Sequence, residues 1–345
     1  MLRTLLSRLL IAVLIPFASP IGLAWGQAKV DVPIEPMKIK MSHVGGLAYA
    51  ALYVAHDRGY FKERGLDVEL VLSRGGDTAF QVAGGTLNFA GGSPDSAFFN
   101  GFKRGMPLRA IASLAVTAMD KDSTPMIVRK DLWDSGAVVK VEQLKGRKVG
   151  NLVPGGITEY FTALSLKTGG LTIDDVNMIS PMGFRLMLDG LTTKVIDACL
   201  LPEPFATLAI RNGTGAILET RSHFGEQILW IQTNQKFAKE HPNVVTNFLI
   251  GYLKGSRDIT RLTFQDPGIV AILNKNTKTA PAIIKAAVPP IFPANGTMNL
   301  ESIMAQQRYH MGRGKLTYKE LIPQQEFIDP SFLKRAVAFL GSIEK

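Results

Sequence analysis

The chain reads as an α/β protein folded in two domains, and three observations predict this. Its 345 residues can fill two moderate cores more readily than one large one. From Met37 onward, short apolar runs alternate with stretches of helical period, the pattern of a parallel sheet covered by helices. The alternation breaks between Thr117 and Pro125 and then restarts as a second, smaller set. A hydrophobic content of 46% with 20% charged residues is ordinary for a globular chain, so disordered and fibrous classes are set aside.

In chain order, the first segment is "MLRTLLSRLLIAVLIPFASPIGLAWGQAKV". Arg3 and Arg8 precede an apolar run from Leu9 to Phe17, followed by Pro20 and small residues around Gly26 and Ala28. That order is a secretory signal peptide, expected to occupy residues 1–26, and its apolar stretch is too short to span a bilayer. The mature protein is therefore expected to be exported and soluble, since no cysteine stands near the cleavage point to carry a lipid. Next come the strand "KIKMSH", the helix "LAYAALYVAHDRGYF", the strand "LDVELVL", the helix "DTAFQVAGG", the strand "LNFAGG", the helix "DSAFFNGFKRG" and the strand "LRAIASLA". After the break, "GRKVGNLV", "VNMIS", "VIDACLL" and "GAILET" read as strands. The helix after Gly156, "FRLMLDGL" and "PFATLAIRNG" lie between them. A last strand, "QILWIQT", leads into mainly helical sequence that includes "PNVVTNFLIGYLKGSRDI" and "SFLKRAVAFLG".

The net charge of +10 falls to +8 once residues 1–26, with two arginines and no acid, are removed. The basic residues are scattered and not interleaved with aromatics, which argues against nucleic acid as a partner. Cys199 is the single cysteine, so no internal disulfide is expected. It lies inside the apolar "VIDACLL", where a free cysteine acts as a small core residue. Signatures of Ser/His/Asp hydrolases, HExxH metalloproteases and clustered metal ligands are missing from the sequence, and no cofactor is expected.

Ligands of open α/β sheets bind at the carboxyl ends of strands, where loops carry backbone amides into a crevice. Three such loops stand out: "SHVGGLAYA", "GGSPDSAFF" and "VPGGITEY". None carries G-x-x-x-x-G-K-[ST] or G-x-G-x-x-G, so none is a nucleotide loop. Each also has a plain structural reading as a tight turn with a helix cap, with Ser93 capping ahead of Pro94.

The stretch "ALYVAHDRGYFKERGLDVELVLSRGGDTAFQVAGGTLNFAGGSPDSAFFNGFKRGMPLRAIASL" resembles the nitrate, sulfonate and taurine group of periplasmic solute-binding proteins, which also includes binders of thiamine-precursor pyrimidines. The resemblance rests on Gly59-Tyr60-Phe61 followed by Gly65 to Glu69, and continues through "LKGRKVG", "TIDDVNMI" and "KVIDACLLPEPFATLA". It implies a two-lobed periplasmic-binding-protein-like fold of type II, each lobe a mixed, mostly parallel sheet flanked by helices, joined by two crossover segments. Lobe one is then expected at 37–118 plus 224–345 and lobe two at 119–223. The implied role is delivery of a small solute, trapped between the lobes, to an ABC permease and its ATPase, with the receptor a monomer.

On the same pattern the ligand-facing candidates are His43, Gly45, Gly46 and Tyr49, then Ser93, Pro94 and Asp95, then Gly155, Gly156, Ile157 and Thr158, with Glu203 and Phe205 from the "EP" turn and Thr117 at the crossover. Amides of Gly155, Gly156 and Thr158 are expected to donate to the solute. His43 can donate to an anion or be structural. Glu203 suits an amine or a ring N–H, or caps the helix after Pro204. Arg185 can balance an anion or face solvent, so the charge of the solute stays open. The rival reading is an enzyme of the same fold, similar to a desulfinase with a cleft cysteine or to pyrimidine-synthesis enzymes.

Overall fold

Among the described residues, 30–73 and 77–343 of a computed structural model, ten strands form two sheets of five. The signal peptide expected at 1–26 lies outside them. Strands β1 (Met37–His43), β2 (Leu66–Leu72), β3 (Phe89–Gly92) and β4 (Leu108–Val116) belong to the first sheet. Strands β5 (Met126–Arg129), β6 (Lys148–Gly150), β7 (Asn177–Ile179), β8 (Ala198–Leu200) and β9 (Gly215–Leu218) form the second. The chain then returns to the first with β10 (Gln227–Asn234). The orders are β2-β1-β3-β10-β4 and β7-β6-β8-β5-β9.

In the first sheet β1 pairs in parallel with β2 and β3, while β10 runs antiparallel between β3 and β4. The second sheet repeats the scheme, with β6 parallel to β7 and β8, and β5 antiparallel between β8 and β9. Each sheet thus has four strands pointing one way and one reversed, a mixed, mostly parallel arrangement as expected. The reversed strand is in each case the first after a crossing. A segment that crosses between sheets enters the new one at the edge where the other strands end, so it must run away from that edge. The sequence reading missed β5: "MIVR" is four residues long and passes directly into a helix at Lys130, leaving no alternation to detect.

Helices cover both faces of both sheets. The helix Ala50–Asp57 packs on the long helix Pro242–Leu262, and only a glycine allows the contact, because a β carbon at Gly255 would stand 2.3 Å from the Ala51 carbonyl. Phe248 of the long helix stacks between Phe61 and Phe89, at ring distances of 5.0 and 4.1 Å. Burial of each such ring stabilises by about 1.5–3 kcal/mol, and Phe248→Ala would cost about 3–5 kcal/mol. The other face buries Trp230 with Phe98 and Phe327. In the second sheet the helix Ile157–Lys167 packs Phe161 and Leu166 on one face. Helices Phe184–Thr192 and Phe205–Arg211 pack Met187, Leu191 and Ala209 with Cys199 on the other.

The two crossing segments are tied to each other. The Thr117 amide donates to the Glu226 carbonyl at 2.9 Å, and the Glu226 amide donates to Thr117 Oγ1 at 2.8 Å. Thr117 Oγ1 also donates to the His223 carbonyl. His223 Nε2 lies 3.0 Å from Asp122 Oδ1, and the buried ring stacks on Phe161. Thr117 therefore ties one crossing segment to the other, and its side chain is spent there and not in the cavity wall, a correction to its place among the solute contacts.

Candidate functional site

A cavity of about 130 Å³ lies between the two sheets, walled by the segments that follow the carboxyl ends of β1, β3, β6 and β8 and by the start of β10. From the first lobe come Val44, Gly45, Gly46, Ala48 and Tyr49, then Thr78, then Gly91, Gly92, Ser93 and Asp95, with Ile228 and Leu229 behind them. The second lobe supplies Leu152, Val153, Gly156, Ile157, Phe184, Pro202, Glu203 and Phe205.

The first loop needs its glycines: Gly45 and Gly46 have φ of 82° and 84°, a left-handed conformation that side chains disfavour. His43 anchors the loop. Its Nδ1 accepts the Gly45 amide at 3.2 Å and lies 2.9 Å from the Tyr53 hydroxyl. An accepting Nδ1 places the ring proton on Nε2, and burial pushes the imidazole down to about 4, so it is neutral near pH 7. Tyr49 is buried with its hydroxyl up against the Gly91 carbonyl, and burial raises its pKa. A β carbon on Gly91 would stand 2.4 Å from the Tyr49 ring, and one on Gly92 2.3 Å from Gln232 Oε1. These two glycines let a bulky pair lie flat on β3. Asp95 caps the helix Ser96–Lys103, accepting the Phe98 amide at 2.9 Å and the Ser93 hydroxyl at 2.8 Å. Burial raises its carboxyl above the usual range against the pull of those donors.

The second-lobe loop is wired to itself. The Gly155 amide donates to Glu159 Oε2 at 3.1 Å and the Gly156 amide to the Val153 carbonyl at 3.2 Å. Thr158 Oγ1 donates to Asn151 Oδ1 at 2.7 Å and accepts the Leu152 amide at 3.3 Å. Glu203 Oε1 accepts the Thr207 hydroxyl at 2.9 Å and the Val288 amide at 3.1 Å, and Oε2 accepts the Thr207 amide at 3.1 Å. Burial again raises this carboxyl. Phe184 and Phe205 form a tilted ring pair 5.9 Å apart on the same wall.

Backbone hydrogen bonds cross between the lobes on either side of the cavity. Leu47 donates its amide to the Glu203 carbonyl at 3.2 Å, and Ser96 donates to the Gly155 carbonyl at 3.0 Å. Farther out, Arg313 makes a two-pronged ion pair with Asp174, and the Tyr309 hydroxyl reaches Glu159 at 3.5 Å. The two lobes are therefore in direct contact around a largely apolar chamber.

A sequence profile described as NMT1/THI5 like matches residues 47–261, well over half of the chain. The chain belongs to the NMT1/THI5-like family. Among characterised sequences, this NMT1/THI5-like chain is similar to the putative binding protein YtlA of Bacillus subtilis (strain 168), at 25% identity over 264 residues, covering 73% of this chain and 74% of YtlA. Its fold is similar to that of the periplasmic nitrate-binding protein NrtA from Synechocystis PCC 6803, with a TM-score of 0.76 at 14% identity over 89% of this chain and 90% of NrtA. It is also similar to the alkanesulfonate-binding protein SsuA from Xanthomonas axonopodis pv. citri bound to MOPS, with a TM-score of 0.71 at 15% identity over 86% and 99%. A DSZB mutant in complex with biphenyl-2-sulfinic acid shares the fold at a TM-score of 0.60 and 12% identity over 87% and 98%.

In this NMT1/THI5-like chain, Gly45, Gly46, Tyr49, Ser93, Asp95, Gly156, Ile157, Glu203 and Phe205 stand together around the cavity. His43, Pro94, Thr117, Gly155 and Thr158 are not in its wall. The expected donation from Gly155 and Gly156 to a solute is corrected, because the Gly155 amide donates to Glu159 of the following helix and the Gly156 amide to Val153 of the loop itself. The Thr158 side chain is used up by Asn151 and Leu152, whereas its amide, in the uncapped first turn of the helix Ile157–Lys167, keeps the free position expected of it. Glu203 takes the capping role that the sequence left open, while still facing the cavity. Arg185 points to solvent and pairs with Asp189, four residues on, so it balances nothing in the cleft. The sequence reading missed the apolar half of the wall: Val44, Leu152, Val153, Phe184, Ile228 and Leu229. In sequence these are indistinguishable from core residues; their one signal is position, Val44, Leu152 and Val153 just past a strand, Ile228 and Leu229 at the start of β10, and Phe184 at the start of a helix.

Proposed function

We propose that the protein is the exported solute-binding component of an ABC importer, monomeric, and that it captures a small molecule by closing its two lobes. The observation that carries this is the cavity itself, which lies where the carboxyl ends of two separate sheets face each other and is shut by hydrogen bonds from one lobe to the other. A chamber of this kind admits a solute only when the lobes part, so binding and closure are one equilibrium. The lobes are taken as 37–118 with 224–345, and 119–223. Sheet membership supports that division, and the paired crossings at Thr117 and Glu226 serve as the hinge. The relatives named as binding proteins support the transport role, and those named as periplasmic support export. No helix among the described residues is long and apolar enough to cross a membrane, which accords with contact to the membrane through the permease alone.

The binding reading is preferred over an enzyme because Cys199, the candidate nucleophile, is fully buried in β8 among Met187, Ile196 and Ala209, outside the cavity wall. Burial raises its thiol, opposite to what a reactive thiolate needs. The test has two parts. Small-angle scattering of the purified protein should show compaction when a bound solute is added, with the solute recovered unchanged. N-terminal sequencing of the secreted form should begin after Gly26 or Ala28. Conversion of the solute, or residues 1–20 intact on the secreted chain, would refute the reading.

A further inference from the structure

On either side of the cavity a glutamate of the second lobe divides its carboxylate between the two lobes. Glu203 Oε2 accepts the Thr207 amide at 3.1 Å and Oε1 the Thr207 hydroxyl at 2.9 Å, both within the second lobe. The same Oε1 accepts the Val288 amide at 3.1 Å, and the Glu203 carbonyl accepts the Leu47 amide at 3.2 Å. Both of these donors belong to the first lobe. Val288 follows the helix Pro281–Ala286, whose Ile284 is buried in the first lobe's core together with Ala287, and Ile291 pairs with Val116 at the end of β4. On the other side, Glu159 Oε2 accepts the Gly155 amide of its own lobe at 3.1 Å, while the Tyr309 hydroxyl of the first lobe reaches Oε1 at 3.5 Å. The neighbouring Gly155 carbonyl accepts the Ser96 amide. Each side thus offers one carbonyl and one carboxylate of the second lobe to donors of the first.

The two kinds of bond answer to different equilibria. A bond inside one lobe is present whether the lobes are parted or shut, whereas a bond across the cleft exists only when they meet, so its free energy enters closure and nothing else. When the lobes part, Glu203 keeps both Thr207 donors, and its carboxylate is not left bare. Those donors also fix its direction, so Oε1 is aimed at the Val288 amide before the first lobe arrives and little ordering is left for closure to oppose. A carboxylate acceptor makes a charge-assisted bond, roughly twice as strong as one between neutral groups. The bond to Val288 is therefore the strongest single candidate for a contact that holds the lobes shut; the Tyr309 contact is longer and weaker.

We propose that Glu203 is a positioning residue for solute capture: its carboxylate, aimed by Thr207, receives the Val288 segment of the first lobe and so sets how tightly the closed chamber holds its solute. Glu159 plays the lesser counterpart on the other side through Tyr309. This rests on the receptor reading above and is independent of the charge of the solute.

The test separates bonds inside the second lobe from bonds across the cleft. Spin labels at Leu72→Cys and Arg185→Cys, exposed residues on opposite lobes next to Gly45 and Phe184, report the distance between the lobes in the full mature chain, with the buried Cys199 unlabelled. Nitrate, methanesulfonate, benzoate and cytosine are the probes, and calorimetry gives the affinity of the one that shortens the distance most. Val288→Pro deletes the crossing donor, and Ala287, with φ −66° and ψ 143°, accepts a following proline. It should lengthen the label distance with and without the probe and weaken probe binding by about ten- to a hundred-fold. Val288→Ala keeps the amide and should behave as the wild type. Thr207→Val removes a bond made within one lobe, so it should lower melting and leave the distance unchanged. Glu203→Gln should part the lobes, and Val288→Pro added to it should cost little more, since both remove the same bond. Wild-type distance and affinity in Val288→Pro, or losses that add in the double variant, overturn the proposal. If Val288→Pro does not fold, parting in Glu203→Gln without parting in Thr207→Val supports the proposal, and equal behaviour of the two overturns it. A wild-type distance that no probe shortens, or turnover of a probe, refutes the receptor reading instead; the solute-free distances of the variants still decide the role of Glu203.

Discussion

Gly155→Ala should weaken solute binding by about ten- to a hundred-fold without unfolding either lobe. Gly155 has φ 68°, and a β carbon there would stand 2.3 Å from Ser96 Oγ and 3.1 Å from Ser96 Cβ, across the cleft. Two costs follow, and they fall on different equilibria. The left-handed backbone costs an alanine about 1–2 kcal/mol whether the lobes are open or shut, so it lowers stability alone. The collision exists only when the lobes meet. It must push Ser96 away, straining or breaking the 3.0 Å bond from its amide to the Gly155 carbonyl. A strained hydrogen bond of about 0.5–1.5 kcal/mol and an overpacking cost of about 1–3 kcal/mol come from one displacement of Ser96 and trade against each other, so closure is opposed by roughly 1.5–3 kcal/mol rather than by their full sum. Because binding requires closure, affinity falls by the same free energy. Calorimetry with a solute that binds the wild type measures the loss, and scattering measures the reduced compaction. Ser96→Ala added to Gly155→Ala removes the Oγ, so it should recover most of the affinity but none of the stability. Wild-type affinity for the single variant, or no coupling between the two sites, would refute the closure argument.

Other outcomes follow from the same geometry. Cys199→Ser should leave affinity within a few-fold but lower stability by about 1–3 kcal/mol in denaturant titration, since it buries a hydroxyl in an apolar layer. Gly91→Ala should cost about 1–3 kcal/mol of stability and weaken binding, because its β carbon drives the Tyr49 ring toward the cavity; unchanged affinity would mean that the ring is not a wall of the solute site. Acid should destabilise the fold before the carboxylates titrate. Burial lowers both His43 and His310 to about 4 from 6.5, so between pH 6.5 and 4 the unfolded chain takes up protons that the folded one refuses. Each histidine then withdraws roughly 1.4 kcal/mol per pH unit over that window and nothing above it. Urea titrations at pH 7.0 and 5.5 should show the drop, and His43→Gln should remove about half of it.

Much of the architecture was legible because backbone geometry leaves marks in composition. Gly45, Gly46 and Gly155 have positive φ and are glycines for that reason, so strand-to-helix turns that enter a cleft announced themselves. Nine of the wall positions followed from those turns and from the family resemblance. The reversed strands β5 and β10 left no such mark, since direction depends on where a crossing chain enters a sheet and not on local propensity. Phe184, Ile228 and Leu229 were hidden because an apolar residue facing a solute and one facing a core obey the same preference.

The polar residues show a deeper limit. Ser, Thr, Asp, Glu and glycine at a helix start are what a cap requires, and also what a polar ligand requires. Sequence gives the residue types and not the acceptor each donor has found. In this protein the caps took precedence: Thr158 serves Asn151 and Leu152, Glu159 serves Gly155, Asp95 serves Phe98 and Ser93, and Glu203 serves Thr207 and Val288. That internal wiring has a functional consequence. A loop whose polar side chains already hold partners is ordered before the solute arrives, so less ordering is left for binding to oppose. It also leaves the uncapped first-turn amides of the helix Ile157–Lys167 as donors at the chamber wall. The glycine turns thus act as a frame, ordered by their own side chains, that presents the first-turn amides of the following helix.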